Sequence, residues 1–312
     1  MSRVRKHNPG RILFVGAGPG DPALLTVRAR DVLAGATIAF TDPDVDRGVV
    51  ALVGTTAGRD AETGEPVAEV RPALGEPTEV AKTLVAEAKN GHDVVRLVAG
   101  DPLTTDSVIA EVNAVARTQV VFEVLPGLTP GSAVPSYAGM ALGSCHTEVD
   151  VRGEVDWAAL AAAPGPLVLH ATSGHLAETA SALVEHGLAP QTPAAITVRG
   201  TTRQQRTVEA TLATLNDAGS ELVGPLVVTV GKIVSQRGKL SWWESRALYG
   251  WTVLVPRTKE QAGEMSERLV THGAIPIEVP TIAVEPPRSP AQMERAVKGL
   301  VDGRYQWVVF TS

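Results

Sequence analysis

Short, continuously apolar segments recur along this chain, separated by longer stretches rich in Ala, Leu and Glu. The apolar segments are 12–15 (ILFV), 36–40 (ATIAF), 93–98 (DVVRLV), 120–125 (VVFEVL), 166–171 (PLVLHA), 194–198 (AAITV) and 225–230 (PLVVTV). Helices fit between them at about 23–34, 78–90, 106–117, 174–187 and 205–217. Runs without strict apolar–polar alternation suit strands covered on both faces. Strand–helix alternation of this kind predicts an α/β fold with mostly parallel strands.

Composition narrows the function classes. With 44% hydrophobic residues the chain can bury sizeable cores, which excludes disorder as its main state. A formal net charge of −6 argues against a general phosphate-backbone binder, and 4% aromatics argue against a base-stacking platform. Nucleic acid is therefore not an expected partner. No apolar stretch approaches the ~20 residues of a membrane span. The single cysteine, Cys145, cannot form an internal disulfide or a Cys-based zinc site, and a reducing cytoplasm is the simplest setting.

Residues 1–10 form a basic, solvated arm. A first lobe runs over 11–130, ending where Gly, Ser and Pro accumulate between Pro130 and His146. A second lobe covers 131–240. A polar and aromatic linker, 241–250, contains Trp242, Trp243 and Arg246. Residues 251–312 start afresh, with a strand at 251–257, a helix at 259–272, a strand at 275–279, a helix at 290–302 and a last strand at 307–310.

The strongest local signal is Val15-Gly16-Ala17-Gly18-Pro19-Gly20-Asp21-Pro22, directly after the first strand. Glycines there permit tight turning and close ligand approach. The spacing is not that of a dinucleotide fingerprint, and Asp21 would repel a pyrophosphate. No Gly-Lys-Ser/Thr follows, so a P-loop is excluded. A tight strand-to-helix turn with no ligand is the alternative reading of the loop alone.

Taken with four later segments, this loop resembles the opening motif of the tetrapyrrole methylases, which use S-adenosylmethionine. Val95 to Pro102 (VRLVAGDP) resembles that family's second glycine-acid-proline loop. Leu125 to Thr129, with Pro135 to Leu142, resembles the third. Thr192 to Thr201 with Gln204-Gln205-Arg206, and Gly224 to Gly231 with Lys239 to Trp242, are similar to the family's later segments. The nearest subgroup is uroporphyrinogen-III C-methyltransferase. The resemblance implies a two-lobed, class III S-adenosylmethionine-dependent methyltransferase, usually a homodimer, with a tetrapyrrole substrate in the cleft. It places the methyl donor at Gly16, Gly18, Pro19, Gly20, Asp21, Gly100, Asp101, Thr129, Ala171 and Gly200. It places a catalytic acid/base at Asp42, which could otherwise cap the turn Thr41-Asp42-Pro43-Asp44.

The chain departs from the family pattern at defined positions. Gly54-Thr55-Thr56-Ala57-Gly58 lacks the usual lysine, and Val98 and Ala99 replace Lys-Gly before Gly100. Pro130 follows Thr129 where a small residue is usual, and Ala171 replaces a donor-contacting Met. A polycarboxylate substrate calls for Arg and Lys donors. Two outcomes fit: a retuned methylase making precorrin-2, or a catalytically degenerate unit with a structural, dimerising or regulatory role.

Residues 250–312 resemble the beginning of uroporphyrinogen-III synthase, through Val255-Pro256-Arg257, Leu269 to Gly273, Pro280-Thr281-Ile282 with Glu285-Pro286, and Trp307 to Ser312. The resemblance implies a partial α/β synthase domain, truncated at Ser312, with no synthase activity expected from these residues alone and an unpaired edge at 307–310. The synthase makes the substrate that the methylase consumes, so the two resemblances support one another. The histidines carry no metal pattern: His170 and His175 straddle a turn at poor ligand spacing, and His92, His146 and His272 stand singly. Trp242 and Trp243 beside Arg246 read as linker packing, with a cation–π anchor or dimer contact as the alternative.

Overall fold

The computed structural model describes residues 10–58, 67–256, 259–279 and 289–305. The chain divides into two compact units, Met1–Tyr249 and Gly250–Ser312.

The first unit opens with β1 (Ile12–Gly16), α1 (Val27–Gly35), β2 (Ile38–Thr41), α2 (Arg47–Val50) and β3 (Glu69–Pro72). It continues with α3 (Pro77–Lys89), β4 (Val94–Val98), α4 (Asp106–Ala116) and β5 (Phe122–Leu125). The five strands form one wholly parallel sheet in the order β3-β2-β4-β1-β5. Successive side chains point to opposite faces. Ile12, Phe14, Ile38 and Phe40 accordingly pack with Val80 and Leu84 of α3 and Val108 and Val115 of α4. Leu13, Val15 and Ala39 pack with Ala29 and Leu33 of α1 and Val49 of α2. Both faces are covered, which explains the unbroken apolar runs.

This strand order fixes where a ligand can enter. The connection after β1 crosses towards β2, and the connection after β4 crosses the other way towards β5. The C-terminal ends of β1 and β4 therefore flank a topological switch point, the place where open α/β sheets bind ligands.

The second half of this unit begins with α5 (Pro130–Tyr137), β6 (Thr147–Asp150), α6 (Trp157–Ala161), β7 (Leu167–Ala171) and α7 (Leu176–Glu185). It ends with β8 (Pro193–Val198), β9 (Arg206–Thr211), α8 (Leu215–Gly219), β10 (Leu226–Val230) and α9 (Arg237–Leu240). Its sheet has the order β6-β7-β10-β8-β9. Only β6 and β7 pair in parallel; the other neighbours are antiparallel. The expectation of mostly parallel strands thus holds for the first sheet and fails for the second.

The expected helix at 205–217 is also corrected, because Arg206–Thr211 is the strand β9, paired antiparallel with β8. The segment 199–205 is too short for a crossover between parallel strands, so β8 and β9 form a hairpin. Thr207, Val208 and Thr211 suit that strand because β-branched residues pack well on a pleated surface. The Gly/Ser/Pro-rich stretch after 130 contains a helix the composition hid. Thr129 caps α5 by accepting from the Ser132 N–H, and Pro130 occupies the first turn, where a missing N–H costs nothing. Val134 of α5 packs on Val168 and Val227 of the second sheet.

Residues 242–249 of the expected linker 241–250 lie on this unit. Trp242 donates to the Ser136 carbonyl at 3.0 Å and Trp243 to the Thr202 carbonyl at 3.0 Å. Arg246 stacks over Trp243 with 4.0 Å to the ring centroid.

The second unit, taken by itself, pairs β11 (Thr252–Val255) in parallel with β12 (Ile275–Glu278) through α10 (Lys259–Thr271), followed by α11 (Pro290–Val301). Arg257, Pro280 to Pro286 and the expected strand 307–310 lie outside the described residues.

Candidate functional site

A cleft of about 890 Å³ opens at the switch point and is bounded by loops from both sheets. Its floor is set by three loops at the C-terminal ends of β1, β4 and β5. Gly18 and Gly100 exchange backbone hydrogen bonds, 3.2 Å one way and 2.9 Å the other. Gly18 sits at φ +70° and Gly100 at φ +71°, conformations that exclude most other residues.

The cleft brings together most of the expected site residues. Gly18, Pro19, Gly20 and Gly100 line it from the first two loops. Thr129 lines it from the loop after β5, Ala171 and Gly200 from the second half of the unit, and Asp42 from the end of β2. Gly16, Asp21 and Asp101 lie behind this lining and tie the loops together. A Cβ on Gly16 would come within 2.5 Å of the Gly127 amide nitrogen, so Gly16 is a close-approach glycine. Asp101 accepts from the Gly127 and Leu103 N–H groups, each at 2.9 Å. Asp21 accepts from the Ala23 N–H at 2.9 Å, and its own N–H donates to Thr201 Oγ1 at 3.1 Å.

Asp42 is held by an ion-pair chain the sequence did not announce. Arg96, only 2% exposed, donates from Nε and Nη2 to Glu111 of α4 at 2.7 and 2.8 Å. Its Nη2 also lies 2.6 Å from Asp42 Oδ1. Burial works against the Arg96 charge, but Glu111 and Asp42 outweigh it and hold the guanidinium above its usual range. Asp42 Oδ2 receives the Ala99 N–H at 3.4 Å. The side chain is therefore oriented by Arg96 rather than used as a turn cap.

A second cluster lies on the other side. Glu148 of β6 bonds His170 of β7 at 2.7 Å and receives the Thr129 hydroxyl at 3.3 Å. Burial pushes the Glu148 carboxyl up, yet the bonds from His170, Thr129 and the Gly131 N–H hold it below the ordinary range. His175 is engaged elsewhere, with its Nδ1 2.8 Å from Thr172 Oγ1. Among the described residues no group of three or more His, Cys, Asp or Glu is arranged to hold a metal ion.

These features suit a nucleoside-linked sulfonium. The volume falls in the usual range for small-molecule sites, ~300–1,000 Å³. Glycine backbone at the floor permits close approach, and the lining carboxylates Asp44 and Asp46 complement a cation, Asp42 and Asp150 being paired with Arg96 and Arg152. No helix among the described residues is long and apolar enough to cross a membrane.

A model for tetrapyrrole (corrin/porphyrin) methylases matches residues 11–216, and one for uroporphyrinogen-III synthase HemD matches residues 263–312. The porphyrin biosynthesis protein HemD of Ruminiclostridium josui is 29% identical over 316 residues, covering 97% of this chain and 62% of that protein. Siroheme synthase 2 of Aeromonas hydrophila subsp. hydrophila is 34% identical over 250 residues, covering 76% of this chain and 52% of that protein. The chain thus spans between half and two-thirds of the length of these relatives. Among solved structures, uroporphyrin-III C-methyl transferase from Thermus thermophilus, complexed with S-adenosyl homocysteine, matches with TM-score 0.62 and 28% identity. That match covers 73% of this chain and 100% of the other. By the match over residues 11–216 and the shared fold, the chain belongs to the tetrapyrrole methylases, a methyltransferase family of tetrapyrrole biosynthesis that uses S-adenosylmethionine, and carries a HemD-like segment behind the methylase unit.

Proposed function

We propose that the unit Met1–Tyr249 binds S-adenosylmethionine in the cleft and C-methylates uroporphyrinogen III toward precorrin-2. It would act as a homodimer in the cytoplasm, within a bifunctional polypeptide whose other part is synthase-like. The observation that carries this reading is the cleft itself. It lies at the switch point of the first sheet, and its lining includes Gly18, Pro19, Gly20, Gly100, Thr129 and Gly200.

S-adenosylmethionine supplies an electrophilic methyl group on a sulfonium. The chain contributes position and charge. The loops at Gly18 and Gly100, tied by two backbone hydrogen bonds, form a floor that positions a bound molecule, and orientation of this kind is worth several powers of ten in rate. Asp42 and Asp150 are paired with Arg96 and Arg152, so the lining charge that favours a cation is that of Asp44 and Asp46. Proton removal from the methylated ring carbon falls to Asp42 Oδ2, because Oδ1 is engaged by Arg96.

A second reading is favoured by one observation. The lining carries Asp42, Asp44, Asp46, Glu148 and Asp150 against Arg152 and Arg199, with Arg96 behind Asp42; Arg152 is engaged by Asp150 at 2.6 Å, and Arg96 by Asp42 and Glu111. Such a field disfavours a polycarboxylate acceptor and supports a unit that has kept the fold as a scaffold or regulator. Calorimetric titration of the full chain with S-adenosylmethionine tests the primary reading. Micromolar binding is expected; silence at millimolar donor overturns it in favour of the scaffold.

A further inference from the structure

The loop 199–205 between β8 and β9 contains two non-glycine residues in the left-handed region, Arg199 at φ +50° and Thr201 at φ +65°. For a β-branched residue this is a true outlier, which persists only where the surroundings over-determine it. Thr201 is 0% exposed, and its bonds run in two directions. Its N–H donates to Gln205 Oε1 at 2.7 Å, while its Oγ1 accepts from the Asp21 N–H at 3.1 Å. It therefore joins the hairpin of the second sheet to the first glycine loop across 180 positions of sequence.

What holds Thr201 there is itself held. Gln205, 2% exposed, donates from Nε2 to Glu244 Oε1 at 2.9 Å. Glu244 also receives the Thr207 hydroxyl at 2.7 Å and pairs with Arg237. Tyr249 donates to the Gln205 carbonyl at 2.5 Å, and Trp243 to the Thr202 carbonyl. The strap 242–249 thus clamps the loop from outside. On the inner side, Gly20 at φ +142° lies so close that a Cβ there would sit 2.9 Å from Thr202 Cγ2 and 3.1 Å from the Gly200 carbonyl oxygen. Gly20, Gly200 and Thr202 all line the cleft, whereas Thr201 does not.

The geometry points to Thr201 as a positioning residue for the methyl donor: its hydroxyl, fixed by Gln205 and the strap, sets the Pro19–Gly20 side of the cleft. This rests on the reading that the cleft binds S-adenosylmethionine. A purely structural Thr201 would trade strain against a buried bond and alter stability alone. A positioning Thr201 alters donor affinity, and does so through its hydroxyl.

The test uses the full chain and S-adenosylhomocysteine as a calorimetric probe, with thermal unfolding of each variant alongside. Thr201→Val keeps the shape and loses the acceptor; Thr201→Gly relieves the backbone and also loses the acceptor; Thr201→Ser keeps the acceptor. The expected result is about tenfold weaker binding in the Val and Gly variants, because the Pro19–Gly20 side is no longer held in the binding geometry. Thr201→Ser should bind within about twofold of the unsubstituted chain, and Thr201→Gly should melt no lower than Thr201→Ser. If Thr201→Val does not fold, Thr201→Gly carries the comparison. Binding within about twofold across all variants overturns the positioning role while leaving the donor reading intact. No binding by the unsubstituted chain overturns the donor reading, and the inference falls with it.

Discussion

Replacing Arg96 by Met offers a quantitative test of how Asp42 is held. Arg96 lies on the central strand β4, in register with Phe14 on one side and Phe40 on the other. Its guanidinium is spent on Glu111, Asp42 and the Leu97 carbonyl, the last at 3.0 Å. Met fills much of the same volume, so the substitution mainly removes charge and donors. It strands Glu111, 3% exposed, without its partner. Breaking a buried pair from one side costs about 3–5 kcal/mol, a large part of a typical stability of ~5–15 kcal/mol. Glu111→Gln should cost less, about 1–3 kcal/mol, because Arg96 keeps Asp42 and can still donate to the amide oxygen. The double variant Arg96→Met/Glu111→Leu replaces both ions by apolar groups and should recover most of the loss. Urea unfolding of the full chain at pH 7, followed by far-ultraviolet circular dichroism, gives the three free-energy differences. A loss below about 1 kcal/mol in Arg96→Met, or a double variant as unstable as the single, would refute the account of a buried Arg96–Glu111 pair.

Other perturbations test neighbouring parts of the site. Gly16→Ala would push a methyl against the backbone of Gly127 and Gly100, which cannot yield without separating the loops. Overpacking of this kind should cost about 1–3 kcal/mol and weaken donor binding in the same calorimetric titration. Because the folded-state carboxyl of Glu148 lies below its ordinary value, its stabilisation is present above about pH 4.3 and is lost as the pH falls through the folded value. In Glu148→Gln the acid limb of the stability–pH curve should flatten, while an unchanged limb would remove Glu148 from the account. Trp243→Phe keeps the ring under Arg246 and deletes the bond to Thr202, so thermal unfolding should report a loss of about 1 kcal/mol.

Residues near one another in sequence were readable, and those joined through space were not. The strands β1, β4, β7, β8 and β10 are buried runs, and their apolar composition marks them. The edge strands β3 and β6 escape notice because they are short and largely exposed, with Pro72 ending one and polar residues alternating in the other. The strand β9 reads as helix in the sequence because Ala and Glu follow a glutamine pair, while its pairing with β8 is decided by tertiary contact. Glycine loops announce themselves by composition, so the floor of the cleft was legible. Glu148 with His170, Arg96 with Glu111 and Thr201 with Asp21 are joined across 22, 15 and 180 positions. Only the fold brings them together. A buried arginine in an otherwise apolar strand was the one local signal available, since such a residue needs a partner.

The proposed activity is tested most directly by following a labelled methyl group. The full chain, supplied with methyl-labelled S-adenosylmethionine and uroporphyrinogen III under reducing conditions, should move label into the tetrapyrrole, and Asp42→Asn should slow the transfer. Donor binding without any label in the tetrapyrrole would contradict methylation and leave the unit a donor-binding scaffold.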